Sequence, residues 1–166
     1  MKKQYLSRED YFQALSLTQL VSIDLLIFYQ NKILVGERSN NPAQGCLFVP
    51  GGKVHKNEYL VEGLRRISMQ EIGFPLNTDQ VRLKGIYDHI YENNFQDDSC
   101  GTHYVTIACQ FDLPLEQQQK IIIIENAMLA QHHRIEWLKV KTILHHPKVH
   151  DNVKSYFQNK PTNIFL

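Results

Sequence analysis

The feature that most limits what this chain can fold into is residues 48–74, where a Pro-Gly-Gly turn and a short polar loop lead into a helix-like pattern. Apolar residues recur there at helical spacing, namely Leu60, Leu64 and Ile67. We expect a helix over residues 58–72, with Asn57 as its N-cap and Gly73 just beyond its end. The stretch therefore predicts a tight turn followed at once by an amphipathic helix.

Glu71 interrupts the apolar stripe of this helix, because it stands where a fourth apolar residue would continue the line. A carboxylate on a buried face has to be protonated, paired with a basic side chain or bound to a metal ion. An ion pair with Arg65 or Arg66 and a frayed last turn are the plainer explanations. However, one carboxylate together with the carbonyl oxygens of the preceding glycine turn suits Mg²⁺, and this combination favours a metal site.

Five residues in this stretch match the spacing of the Nudix box: Gly52, Glu58, Arg66, Glu71 and Gly73. The chain therefore resembles the Nudix superfamily. Two positions that are acidic in the box are Ile67 and Gln70 here, and a box reduced in this way resembles the GDP-mannose mannosyl hydrolases within that superfamily. The resemblance implies a single Nudix hydrolase domain over residues 1–166, with the α/β fold of an α/β/α sandwich, a mixed β-sheet flanked by helices.

The composition indicates one domain without a strong charge bias. The chain has 166 residues, of which 43% are hydrophobic, and this is enough to build one core. Because 18 Lys and Arg residues face 17 Asp and Glu residues, we expect neither nucleic acid nor a membrane as a partner. Three cysteines without a CxxC pair argue against a disulfide scaffold and a zinc site. We recognise no signal peptide and no apolar run of roughly 20 residues, so we expect a cytoplasmic protein.

Strand-like patterns lie on both sides of the box. Residues 20–29 are an almost continuous apolar run, which is typical of a strand buried on both faces, and Asp24 interrupts it. A polar residue there ordinarily has a local hydrogen-bond partner. Three further strands are predicted at residues 33–36, 81–91 and 103–111.

Helices are predicted near both ends of the chain. Ser7 is a candidate cap for a helix over residues 7–16, and the C-terminal part favours helices over residues 139–145 and 149–159, packed through Leu144 and the apolar residues that follow it. Residues 121–124 are four consecutive isoleucines. They are consistent with a buried strand, with a dimer contact or with a segment that is covered only after folding.

The resemblance also covers residues 36–53 and implies a set of substrate contacts. Arg38 follows the strand at residues 33–36, and an Arg at the end of a strand can simply be solvated. Its planar guanidinium nevertheless suits a diphosphate. In the resembled family, the matching Arg helps to hold the departing GDP. Ring residues at strand ends are commonly packing residues, but the resemblance implies that three of them contact the substrate, namely His89, Tyr91 and Tyr104. The implied substrate contacts are Leu6, Tyr11, Arg38, Lys53, Arg66, His89, Tyr91 and Tyr104.

A Gln-His pair that precedes Trp137 completes the resemblance. It implies that one Mg²⁺ is held in the site by the Gly51 carbonyl, Glu71 and Gln131. The implied catalytic residues are His132, Arg38, Tyr104 and Asp24, with His132 as the base. Because His133 follows directly, the choice between these two histidines stays open, and a pair of surface histidines in a loop is the plainer interpretation of the residues alone.

The function that the resemblance implies is hydrolysis of GDP-mannose, or also of GDP-glucose, to GDP and the free sugar. Water would attack the anomeric carbon with inversion, and the protein would be a homodimer. One alternative is a Nudix pyrophosphohydrolase that attacks phosphorus in a nucleoside diphosphate derivative, for which Glu58 and Glu71 are the remaining carboxylates. A binding module for nucleotide sugars without catalysis is the third possibility.

Overall fold

The computed structural model describes residues 6–95, 100–129 and 132–158, and the backbone of residues 164–165. Its helices are α1 (Arg8–Leu17), α2 (Leu60–Ile72), α3 (Lys120–Leu129) and α4 (Asp151–Ser155). Its strands are β1 (Leu20–Tyr29), β2 (Lys32–Glu37), β3 (Leu47–Phe48), β4 (Gly51–Lys53), β5 (Arg82–Tyr91), β6 (Thr102–Asp112), β7 (Ile135–Lys139) and β8 (Ile164–Phe165).

These strands form one mixed sheet with β1 near its centre. The order is β3-β2-β1-β6-β5-β8, while β4 also pairs with β1 and β7 also pairs with β2. Among the described strands, β1 and β6 run parallel and the other pairs are antiparallel. The pairing of β4 with β1 sets Gly51 directly opposite Asp24, and this pair brings the glycine turn and the polar residue of the central strand together.

Alternating residues of β1 face two separate cores, which makes the layers helix, sheet and helix. Ile23, Leu25 and Ile27 pack with residues of α2 and α3 on one face. Leu26 packs on the other face with the C-terminal segment, which includes Val153 of α4. The α/β/α sandwich with a mixed sheet is confirmed, and so is the prediction that this strand is buried on both faces.

The box helix is shorter at its start than expected. It begins at Leu60 with Tyr59 as its N-cap, whereas Asn57 has a φ of 64° and lies in a left-handed turn before the helix. The expected N-cap was therefore wrong. The expected C-terminus is confirmed, because Gly73 has a φ of 82°, which a residue with a Cβ adopts at a cost. In α1, Ser7 is the predicted cap and accepts a hydrogen bond from the backbone N–H of Asp10 at 3.0 Å.

The isoleucine run and the C-terminal part differ more from expectation. Residues 121–124 belong to α3, so a strand there is excluded: Ile124 is buried, while Ile122 and Ile123 are 64% and 46% exposed. Four consecutive apolar residues cannot all face one side of a helix, and this explains the exposed pair. Residues 140–145 form a 3₁₀ helix and not an α-helix, α4 is shorter than the predicted 149–159, and Leu144 is 41% exposed.

No helix within the described ranges has both the length and the apolar character that a bilayer crossing requires. The longest of them, α2, has 13 residues.

A buried ion pair holds the entry of the box helix. The guanidinium of Arg66 donates from Nε and Nη2 to the Glu58 carboxylate, at 2.8 Å each, and from Nη2 to the backbone carbonyl of Lys53. The backbone N–H of His55 donates to the same carboxylate at 2.9 Å. The Glu58 side chain is fully buried, so its charge depends on these donors. The pair thus ties the loop after β4 to the middle of α2.

We expect Glu58→Gln to lower the free energy of unfolding by about 3 kcal/mol, because it removes the charge of a fully buried carboxylate that is paired with Arg66. Urea denaturation at neutral pH measures this change. The matched control is Asp112→Asn, which breaks the exposed pair with Arg82 and should cost no more than about 1 kcal/mol. Equal effects of the two variants would contradict the role given to the buried pair.

Candidate functional site

Two neighbouring cavities meet at the end of β4. The first, which we call the aromatic cavity, has a volume of about 220 Å³ and is lined mainly by residues of β1, β4, β5 and β6. The second, which we call the Glu71 cavity, has a volume of about 180 Å³. It is lined by Arg38, Ser39, Asn40, Gly51, Glu71 and His132. Because Gly51 and Arg38 line both cavities, a ligand can extend from one into the other.

The Glu71 cavity brings together a carboxylate and a histidine that the sequence places 61 positions apart. The Nε2 atom of His132 lies 4.0 Å from Oε2 of Glu71, which is longer than a hydrogen bond. This Nε2 atom is buried and has no hydrogen-bond partner among the described residues. Both side chains are only slightly exposed, at 13% and 14%. The two groups therefore lie side by side without bonding to each other, and both line the cavity.

The other ring nitrogen of His132 explains its orientation. Nδ1 lies 3.4 Å from the carbonyl oxygen of Glu37. Because a carbonyl oxygen can only accept, this contact favours the tautomer that carries its hydrogen on Nδ1. Nε2 is then the unprotonated nitrogen and faces Glu71. The ring rests against Gly36, where an added Cβ would lie 2.7 Å from Cγ of His132. Gly36 is therefore needed for this position of the ring.

The remaining predicted metal ligands have different outcomes. Gly51 lines the same cavity as Glu71, so these two members of the predicted set come together. Gln131 lies outside the described residues. No group of three His, Cys, Asp or Glu side chains arranged to hold a metal ion occurs in the part of the chain that the structure describes. The described residues supply the Glu71 carboxylate and the Gly51 backbone as candidate ligands. A hard cation bound by so few protein groups would keep several water ligands.

Asp24 is buried in the wall of the aromatic cavity and has a hydrogen-bond donor of its own. The hydroxyl of Tyr156 donates to Oδ2 of Asp24 at 2.6 Å. Burial raises the pKa of Asp24 to about 7; the bond from Tyr156 and the charge of Arg38 partly oppose this, and the charge of Glu71 adds to it. The other oxygen, Oδ1, faces Gly51, where any Cβ would collide with it. Asp24 thus has the hydrogen-bond partner that the plainer explanation requires, although this partner is distant in the sequence and not local, and the residue also lines the cavity.

His89 joins the same network at the far side of the Tyr156 hydroxyl. Its Nε2 atom lies 3.1 Å from that hydroxyl oxygen. Burial, with a contribution from His150, lowers the pKa of His89 to about 3, so the ring is neutral at physiological pH. His89 and Asp24 both line the aromatic cavity, whereas Tyr156 lies behind them.

Tyr11 closes the aromatic cavity from α1. Its hydroxyl is hydrogen-bonded to that of Tyr104 at 2.7 Å, and its ring stacks on Phe95 with a centroid distance of 5.1 Å. The ammonium group of Lys53 lies 3.4 Å from the centre of the Tyr11 ring. Burial raises the pKa of Tyr104 and lowers that of Lys53. A base that stacked on Tyr11 would therefore have to share the ring with these neighbours.

Arg38 and Tyr91, two of the implied substrate contacts, also line the aromatic cavity. The guanidinium carbon of Arg38 lies 5.5 Å from the centre of the Phe48 ring, and its Nε atom has no hydrogen-bond partner within the described ranges. Burial raises the pKa of Tyr91 to about 12. Leu6 lies outside this cavity and lines an adjoining apolar groove of about 410 Å³.

One predicted substrate contact, Arg66, lies away from both cavities. Arg66 lines neither cavity, because its guanidinium is directed to Glu58, Lys53 and Gln70. The plainer expectation that Arg66 would neutralise Glu71 is also not what the structure shows, since its ion pair is with Glu58. His133 is exposed, in contrast to the partly buried His132. The geometry thus distinguishes by burial the two histidines between which the choice of base stayed open.

Sequence reasoning missed three residues that shape the site: Gly36, Phe95 and Tyr156. Tyr156 is 132 positions from Asp24, and a tyrosine in a C-terminal helical pattern gives no sign of a polar partner. Gly36 was assigned only to a strand, and Phe95 falls between two predicted strands, at residues 81–91 and 103–111. The position of Gly36 directly before the end of β2 was the one available signal, because glycine inside a strand often marks a close approach.

Comparison with known proteins identifies a family for most of the chain. A family model described as NUDIX domain matches residues 18–158. Of the solved structures with the same fold, the MutT NUDIX hydrolase of Burkholderia pseudomallei superimposes with a TM-score of 0.62 and 21% identity, covering 84% of this chain and 95% of that one. At this identity the likeness shows the fold alone.

Two curated relatives match in sequence. The low-salt glycan biosynthesis protein Agl8 of Haloferax volcanii is 39% identical over 94 residues, which are 57% of this chain and 59% of that protein. The ADP-ribose pyrophosphatase of Methanocaldococcus jannaschii is 42% identical over 53 residues, which are 32% of this chain and 31% of that enzyme. The chain thus spans less than two thirds of the length of either relative.

Proposed function

The chain belongs to the NUDIX domain family, and from this premise we propose that it hydrolyses GDP-mannose, with GDP-glucose as a second substrate, to GDP and the free sugar. Nudix hydrolases act on small-molecule nucleotide derivatives and generally use divalent metal ions. A relative named for glycan biosynthesis agrees with a sugar nucleotide as substrate. The attack proposed here is on the anomeric carbon of the sugar.

The observation that carries the proposal is the Nε2 atom of His132, which has no hydrogen-bond partner among the described residues, beside Glu71 in the Glu71 cavity. Its neighbour Nδ1 is turned to the Glu37 carbonyl, so Nε2 is available to accept a proton. An attack at sugar carbon needs such a base to activate water. A base of this kind typically contributes about 10²–10⁴-fold to the rate.

The residues of the Glu71 cavity fit one hard divalent cation. Its protein ligands would be the Gly51 carbonyl, the Glu71 carboxylate and Gln131, and a magnesium ion is commonly bound by one or two carboxylates with substrate phosphates and water completing the shell. When bound, the cation neutralises the charge of the diphosphate as it leaves. Arg38 supplies a fixed positive charge at the edge shared by both cavities, and Lys53 supplies one next to Tyr11.

The reaction balances without any further reactant. The oxygen of water forms a bond to the anomeric carbon, and the bond between that carbon and the β-phosphate oxygen breaks with its electrons going to GDP. His132 takes the proton of the attacking water at Nε2. Since water enters opposite the leaving diphosphate, the configuration at the anomeric carbon inverts.

We expect hydrolysis in ¹⁸O-water to place the label on the released sugar and to give GDP as the nucleotide. Mass spectrometry of the separated products measures this. Label on phosphate, or GMP with a sugar 1-phosphate, would show attack at phosphorus and end this version of the function. An ¹⁸O-labelled sugar control kept with GDP but without the enzyme excludes exchange of the sugar oxygen after release.

The second candidate is a pyrophosphohydrolase acting on a nucleoside diphosphate derivative, and the partial match to an ADP-ribose pyrophosphatase favours it. It would need additional carboxylates at the metal. Glu58 is fully buried in its pair with Arg66, which leaves Glu71 as the carboxylate lining the Glu71 cavity. The same product analysis separates the two reactions.

Binding of GDP-mannose without turnover at any pH or with any metal would instead support a binding module. The homodimer and the cytoplasmic location stay predictions.

A further inference from the structure

Tyr156 is a buried residue of the core that also contains Leu26 and Val153. Its hydroxyl contacts two residues in the wall of the aromatic cavity. Its ring packs edge-on against Tyr87, with a centroid distance of 4.7 Å, and it is 1% exposed. The hydroxyl lies between Oδ2 of Asp24 at 2.6 Å and Nε2 of His89 at 3.1 Å. A tyrosine hydroxyl that is buried this deeply requires such partners, and here both are residues that line the aromatic cavity.

The single hydrogen of this hydroxyl sets the direction of the network. With Asp24 ionised, the hydroxyl donates to Oδ2 of Asp24, so its oxygen has to accept from His89. His89 is neutral because burial lowers its pKa to about 3, and a neutral imidazole carries one N–H. That N–H must therefore be on Nε2. The order of donation is His89 to Tyr156 to Asp24.

The network also decides which oxygen of Asp24 is available to a ligand. Oδ2 is engaged by Tyr156, whereas Oδ1 faces Gly51, on the edge shared by the two cavities. Rotation of the carboxylate is restricted on one side by the Tyr156 bond and on the other by the β4 backbone. Oδ1 is consequently held at a fixed point of the cavity wall, where it can accept a hydrogen bond from a hydroxyl of the sugar.

We propose that Tyr156 is a positioning residue for the reaction, whose hydroxyl fixes Oδ2 of Asp24 and the Nε2–H tautomer of His89 so that Oδ1 is presented to the sugar of the substrate. The part that concerns turnover rests on the proposed function, and the part that concerns the network does not. A residue that acts in this way affects the transition state through Asp24 and does not itself touch the substrate.

Tyr156→Phe removes the hydroxyl and keeps the ring. We expect kcat for GDP-mannose to fall by about 10- to 100-fold, because a misplaced carboxylate aligns the sugar poorly, while the affinity for GDP with Mg²⁺ is kept. Tyr87→Phe is the matched control, since it removes a hydroxyl from the adjacent ring of the same core and should leave kcat within about twofold. Calorimetric melting of both variants measures folding separately. An unchanged kcat in Tyr156→Phe, or an equal loss in Tyr87→Phe, would overturn the positioning role.

A spectroscopic measurement decides the network without any substrate. In ¹⁵N NMR of the histidine-labelled protein, with His89→Gln used to assign the signals, His89 should carry its hydrogen on Nε2, and Tyr156→Phe should change its ring nitrogen shifts. Finding the hydrogen on Nδ1 in the wild-type protein overturns the network. If the network is found but the wild-type protein releases no sugar from any GDP-sugar, the proposed function fails, and with it the positioning role for the sugar, while the arrangement of the three residues stands.

Discussion

Replacing His132 with Gln is expected to lower kcat for GDP-mannose hydrolysis by about 10²–10⁴-fold, which is the usual contribution of a general base. The glutamine amide can fill the space of the ring and approach the Glu37 carbonyl, but it cannot take a proton from water. The affinity for GDP with Mg²⁺, measured by calorimetry, should stay within about twofold, because the histidine is assigned to the chemical step. Steady-state release of GDP measures the rate.

The neighbouring histidine provides the matched control for this experiment. His133→Gln changes the same residue type one position later, on a side chain that is exposed. We expect it to keep the wild-type rate. If His133→Gln were the damaging substitution and His132→Gln were neutral, the base would be assigned to the wrong histidine.

Replacing Glu71 with Gln should reduce kcat by about 10²–10³-fold at moderate Mg²⁺, corresponding to about 3–4 kcal/mol of transition-state stabilisation. The amide keeps the shape of the side chain but loses the charge that attracts a hard cation. We also expect the Mg²⁺ concentration for half-maximal rate to rise. A titration of the rate with Mg²⁺ separates this weaker binding from a loss in the chemical step.

Glu62→Gln is the control for that change. Glu62 is on the same helix, is exposed and lines neither cavity, so the substitution changes the net charge by the same amount away from the site. The Mg²⁺ dependence of this variant should match the wild type. An identical Mg²⁺ dependence in Glu71→Gln would contradict a metal-binding role for Glu71.

The elements nearest the site follow most directly from the sequence. The helix that carries Glu71 ends at its glycine, and the central strand has the predicted bounds, because both depend on strong local patterns. Gly51, Glu71 and His132 were each chosen from the sequence with the help of a resemblance, and they line one cavity. The role of each in binding or catalysis stays a prediction.

The failures have a common physical origin in contacts between distant parts of the chain. The start of the box helix moved because the Glu58 carboxylate is used by Arg66 and the His55 N–H, a set of bonds that no local pattern reveals. The isoleucine run was interpreted as a strand among other possibilities and lies in a helix, since a short apolar segment has no period of its own that would separate the two. The role of Tyr156 depends on the C-terminal segment packing against the sheet.

The way α1 is attached has a consequence for how a large ligand enters. Of the ten residues of α1, Leu15 is the buried one, yet this helix carries Tyr11 across the aromatic cavity. Asp24, in contrast, belongs to the central strand β1, and its partner Tyr156 belongs to the core that also contains Leu26 and Val153. Elements with little buried apolar surface open at a lower free energy than core strands. The α1 side of the aromatic cavity is therefore expected to open at a lower free energy than the side that carries Asp24, so a bulky ligand can enter without displacing this carboxylate.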